Sequence, residues 1–301
     1  MLWQGYALGA TAANAIENII DKAVITDKKE IDDTIATFYR VAAFTVFSIL
    51  LGLTGLAGSL TVKFPLPFII FAFLSLISSY CYTYLLKNIE ISANGILSYL
   101  TPFFFLLADL FIFSIPFELA QIIGIILLVL GAVLFVFDLG TFTFKAQYTR
   151  IVWLIFLFDL FLSGFGYYVF KHYSTNLGLN EISYIVSIWS LVAVGMLFIV
   201  ICQRKIRLLF SSGINSTYLK GVAVSKAIDT VSALFWFRAL AVASVSQVDA
   251  MESFYPVFLL ITIYIVQKGF KLNVEEDIGS AQLLQKIIGT ILLCVGGVLA
   301  S

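Results

Sequence analysis

Residues 244–260, SVSQVDAMESFYPVFLL, hold two carboxylates, Asp249 and Glu252, in a stretch otherwise apolar enough to sit in lipid. A charge near the centre of a membrane helix costs about 2.5–3.5 kcal/mol on insertion scales, so such groups must be paired or face water. Pro256 has no backbone N–H, and in a continuous helix it deprives the carbonyl four residues back, that of Glu252, of its hydrogen bond. Asp249, Glu252 and Pro256 follow at spacings of three and four and so share a helix face. The chemistry this predicts is a kinked, polar wall of a substrate cavity. Glu252 is its proton or cation acceptor, with Tyr255 beside it, and the alternative is a fixed ion pair between Glu252 and Arg40 or Arg238. Residues 90–107, EISANGILSYLTPFFFLL, repeat the frame: Pro102 aligns with Pro256 and Ser98 with Glu252, so a second kink is expected at Pro102.

Other polar groups fall inside apolar runs. Asn14, Glu17 and Asn18 make a polar face on the first run, and Tyr167, with Tyr168, occupies the corresponding stretch of the sixth. Aromatic rings with a polar tip suit a cavity for organic substrates and suit ordinary packing equally. Lys226 and Asp229 are one helical turn apart and can pair within their own run. Arg40 and Arg238 have no acidic residue three or four positions away and must look to other helices, while Asp109 and Asp159 sit among aromatics without a local partner. The acidic excess in these runs favours cations, zwitterions or neutral metabolites over polyanions.

The elements that must position these groups are membrane helices. With 61% apolar and 12% charged residues and a mean hydropathy of +1.02, the chain lies outside the range of soluble domains. Stretches of about 20 residues, the length that crosses a hydrocarbon core of about 30 Å, fall near 3–25, 35–57, 66–86, 92–113, 119–138, 151–171, 182–202, 222–242, 246–267 and 284–301. QIIGIILLVLGAVLFV (121–136) parallels KIIGTILLCVGGVLAS (286–301), placing Gly124 and Gly131 opposite Gly289 and Gly296. Five spans therefore repeat as five, and an odd number per repeat inverts the second half, 141–301, relative to the first, 1–140. Secondary transporters use this plan, with the substrate near the midplane between the halves. Glycines seven apart let another helix approach closely, or bring two copies together.

Of the eighteen basic residues, Lys28, Lys29, Lys87, Lys145, Arg150, Arg204, Lys205, Arg207, Lys220, Lys268 and Lys271 fall between an odd-numbered span and the next, against Lys63 and Lys171 on the other side. The positive-inside rule then makes those connections cytoplasmic and leaves both termini outside.

The chain resembles the EamA-type members of the drug/metabolite transporter superfamily. The first helix of each repeat leads to a lysine, NAIENIIDK ending at Lys22 and SGFGYYVFK at Lys171. FRAL (237–240) precedes a Pro-containing fourth helix, the fifth is Gly-rich, and Arg40 lies in the second. Asn14-Ala15 replaces the usual tryptophan-glycine pair, and the basic C-terminal tail is missing. The resemblance implies a ten-helix carrier of small organic molecules with cytoplasmic termini, opposite to the charge count. A first segment too short to span would remove that conflict.

Rival classes find little support. One histidine, His172, builds no multi-histidine metal site, and no Gly-x-Ser-x-Gly elbow, Walker motif or filter-like repeat is present. The three cysteines stand singly in apolar runs without metal or redox spacing. The expectation is an all-α secondary transporter of the cell membrane, without cofactor, metal or nucleic-acid partner, working on an amino acid, drug-like cation or related solute. A homodimer stays open, as do a non-transporting scaffold and an intramembrane enzyme.

Overall fold

The computed structural model describes residues 2–27, 30–55, 58–89, 118–138, 143–144, 149–170, 175–210, 214–243, 245–269 and 280–300. Helices dominate because in lipid each backbone N–H and C=O must find its partner within the protein. In chain order those of six or more described residues are α1 (Leu2–Asp27), α2 (Asp33–Leu53), α3 (Leu66–Asn88), α4 (Leu119–Val136), α5 (Arg150–Val169), α6 (Glu181–Cys202), α7 (Ser216–Val242), α8 (Val245–Ala250), α9 (Tyr255–Gly269) and α10 (Ser280–Ala300). A two-residue antiparallel ladder, Phe137–Asp138 with Thr143–Phe144, follows α4.

Side-chain caps set several helix starts. Asp32 accepts from Thr34 N at 3.0 Å before α2, Asn180 from Ser183 N at 2.8 Å before α6, and Asn215 from Tyr218 N at 2.8 Å before α7. Each satisfies an amide the first helical turn leaves without a partner. α2, α3 and α6 are long and apolar enough to cross a membrane. The 26 residues of α1 reach about 39 Å at 1.5 Å per residue, so the polar first segment is a full-length helix, and the orientation conflict is not removed by shortening it.

The stretch around Pro256 departs from expectation. The chain does not run through it as one kinked helix: α8 stops at Ala250, a 3-10 turn covers Met251–Phe254, and α9 starts at Tyr255. Pro256 is thus the second residue of a new helix, where a missing N–H costs nothing. The Glu252 carbonyl is not left open either, because the Tyr255 N–H donates to it. The tighter 3-10 spacing resolves the conflict that a continuous α-helix would have created. Ser98 and Pro102 lie outside the described residues.

α4 pairs with α10, α1 with α7, α2 with α6 and α7, and α3 with α5 and α6. The α4–α10 seam is backbone against backbone. A Cβ on Gly131 would lie 2.9 Å from Gly289 O, and one on Gly296 would lie 2.7 Å from Gly124 O. The four matched glycines therefore serve packing inside the chain and are not free to join a second copy. Away from the seam, Ile122, Ile126, Leu130 and Val133 on α4 and Ile287, Ile291 and Val298 on α10 are exposed; on helices this apolar they form a face for lipid.

Candidate functional site

Asn14, Glu17, Asn18 and Asp21 repeat at spacings of three and four along α1 and so share a face. That face meets α7, which approaches closely because small residues lie along the contact: Gly221 packs on Val24, Gly9 on Phe235, and Ser232 Oγ donates to Ala10 O at 2.9 Å.

The approach delivers the Lys226 ammonium into a nest of three carboxylates. It pairs with Glu17, with Asp21 Oδ2 at 2.9 Å and with Asp229 Oδ2 at 3.0 Å. Ser225 Oγ donates to Asp21 Oδ1 at 2.5 Å and reaches Glu17 Oε1 at 3.3 Å. From α2, Arg40 grips Asp21 Oδ2 through Nε at 2.9 Å and Nη2 at 2.7 Å. Its Nη1 donates to Thr83 Oγ1 of α3 at 3.0 Å, and its guanidinium lies 4.6 Å from the Tyr82 ring centroid, a cation–π contact. The Tyr82 hydroxyl donates to Asn18 Oδ1, and Asn18 Nδ2 donates to Asn14 Oδ1 at 2.7 Å.

Three acids and two bases are thus shared among α1, α2 and α7, with α3 supplying hydroxyls. Glu17, Asp21, Arg40 and Lys226 are buried, whereas the Asp229 side chain is 33% exposed. Charges out of water persist only when their partners are close and their remaining hydrogen-bonding atoms are served, which the serine, threonine and tyrosine contacts do here.

Of the residues singled out in the sequence, Glu17, Asn18, Arg40 and Asp229 come together, and Asn14 joins through Asn18. Arg40 does find its partner on another helix, but that partner is Asp21 and not Glu252. Tyr255 is buried in the apolar cluster that holds Ala15 and Ile19 of α1. Glu252 is half-buried in the 3-10 turn. Asp249 lies on α8 and Tyr167 on α5, with side chains outside the described residues, as Asp109 is altogether. Asp21, Ser225, Lys226, Tyr82 and Thr83 were missed as members of the site. Asp21 carried a signal, since it continues the polar face one turn beyond Glu17.

Two further polar sites stand apart from this network. Lys22 Nζ donates to Leu86 O at 2.7 Å and Ile89 O at 2.8 Å, so the lysine at the end of NAIENIIDK holds the C-terminal carbonyls of α3. On the face carrying most basic residues, Lys205 pairs with Asp32 at 2.8 Å and Lys87 with Asp33 at 2.5 Å. Burial pushes the Asp32 carboxyl up, but the hydrogen bond and charge of Lys205, with the Thr34 contacts, outweigh it and hold the carboxyl below its ordinary value.

A solved structure described only as "Crystal structure of protein" is similar over 99% of this chain and 96% of its own, with a TM-score of 0.68 and 16% identity. That likeness concerns the fold alone, and it runs the length of the chain. Among curated proteins nothing matches. The model of the EamA-like transporter family matches residues 1–137, the part that contributes α1, α2 and α3, and with them Glu17, Asp21 and Arg40, to the buried network. Over that part the chain is similar to the EamA-like transporter family, and with several helices long and apolar enough to cross a membrane it is an integral multi-pass membrane protein.

Proposed function

We propose that the chain is a secondary active transporter of small organic metabolites across the cell membrane, built from two inverted five-helix repeats, 1–140 and 141–301. The observation that carries the reading is that the buried network draws acids from α1 and a lysine from α7, one from each half. A midplane site between inverted halves is where such carriers bind substrate. Its three carboxylates against two cations suit an ammonium-bearing or neutral solute, an amino acid or drug-like cation among them.

Paired contacts support the inverted plan. Moving 149 positions takes Ala10 to Asp159 and Glu17 to Gly166; moving 154 takes Ser78 to Ser232 and Phe71 to Ser225. Ser78 touches Asp159 as Ser232 touches Ala10, and Phe71 packs on Gly166 as Ser225 reaches Glu17. The same two shifts thus relate α3–α5 to α7–α1. Where one interface has an aromatic ring on glycine, the other has a serine on a carboxylate.

The completeness of the pairing around Asp21 favours a second reading, a static polar clamp in a membrane scaffold. A thermal-shift screen of the purified protein against amino acids, sugars, nucleosides and cationic drugs separates the two. A ligand at a hundred times its Kd stabilises by about 2.7 kcal/mol, and Glu17→Gln should abolish that shift for any compound bound at the network. No stabilisation by any class, together with no uptake by reconstituted protein, sinks the transporter reading.

A further inference from the structure

We propose that Asp159 and Ser78 form a proton-binding site inside the membrane, separate from the network on α1. Asp159 sits ten residues into the twenty of α5, away from the exposed stripe Ile151, Leu154, Leu157 and Phe161. Its Oδ1 is 2.6 Å from Ser78 Oγ of α3. Among the described residues no lysine or arginine pairs with it. From α3, the facing ionisable group is the Cys81 thiol.

The partner type decides what such a carboxylate can hold. A lysine or arginine only donates, so protonating a carboxylate paired with one, as Asp21 is with Arg40, sets donor against donor. A serine hydroxyl both donates and accepts. Ser78 therefore donates to the Asp159 carboxylate and accepts from the Asp159 acid at the same oxygen separation, and one proton enters or leaves without rearranging either helix. An ionised carboxylate with no cation is costly at this depth, so the hydroxyl of Ser78 is what the described residues offer it in either form. A hard metal cation would need about six oxygen ligands, and this pair supplies a carboxylate and one hydroxyl. In a transporter the site gives a coupling proton a place outside the paired charges, a role that rests on the transport reading above.

The test needs no transport substrate. Protein in lipid nanodiscs is treated with dicyclohexylcarbodiimide, which converts protonated carboxylic acids in apolar surroundings to N-acylureas readable by peptide mass mapping. An adduct at Asp159 that fades as pH is raised, with Asp21 unlabelled throughout, is expected. Ser78→Ala removes the hydroxyl that stabilises the carboxylate, so the labelling curve moves to higher pH. In a parallel measurement with a pH-indicator dye, Asp159→Asn, which keeps a hydrogen bond to Ser78, takes up one proton fewer per chain on acidification. Absence of the Asp159 adduct at every pH, a labelling curve unmoved by Ser78→Ala, or unchanged proton uptake by Asp159→Asn overturns the site. Failure of the transport reading alone leaves all three results as stated.

Discussion

Arg40 reaches a single oxygen of Asp21 through two nitrogens, at 2.9 and 2.7 Å, from the neighbouring helix, and both side chains are buried. Removing one member leaves a charge in the interior without its main partner, which typically costs about 3–5 kcal/mol. Arg40→Met should therefore lower the melting temperature and folded yield sharply. Arg40→Met combined with Asp21→Leu should recover part of the loss, since Lys226 keeps Glu17 and Asp229. A double variant no more stable than the single would show that the pair is not the unit that matters.

Asp32 ties its pH response to the polar end of α2. Its folded-state pKa lies below the ordinary value, so its contribution to stability is fully present above the unfolded value of about 3.9 and is lost as pH falls through the lower, folded one. Melting temperature followed downward in pH should drop less in Asp32→Asn, which keeps an N-cap acceptor but lacks the charge that meets Lys205. Identical acid profiles would remove Asp32 from the response.

Gly296→Ala and Gly131→Ala place a methyl against backbone on the facing helix, 2.7 Å and 2.9 Å from a carbonyl oxygen. Overpacking of this kind costs about 1–3 kcal/mol, read as a fall in melting temperature. Gly5→Ala, in the first turn of α1, is the control: nothing lies within 4 Å of the added Cβ, so the melting temperature should not fall.

Cys202 is a native probe of orientation. It is exposed at the end of α6, beside Arg204 and Lys205, whereas Cys81 and Cys294 are partly buried. If the basic face is cytoplasmic, an impermeant maleimide added to intact cells leaves Cys202 unlabelled until the membrane is opened. Labelling from outside would reverse the orientation.

Helical spacing made part of this architecture readable beforehand. The polar face of α1, the Lys226–Asp229 turn and the seven-residue glycine spacing all express which residues share one side of one helix. Which side of which other helix lies opposite is a tertiary matter, and so the Arg40 partner, nineteen positions away on α1, was left open. Pro256 misled for a related reason. Its effect depends on whether it falls inside a helix or at the start of one, and the 3-10 turn before it shows no periodicity of its own.

The glycine seam has one more consequence. Gly131 meets Gly289 while Gly296 meets Gly124, so each strip presents to the other what it receives, the self-complementary arrangement that two-fold homodimers build between separate chains. A seam of that kind does not depend on the peptide link between the halves. In the two-repeat plan proposed above, two half-length polypeptides inserted in opposite directions and released from their tether would still own matching edges by which to find one another.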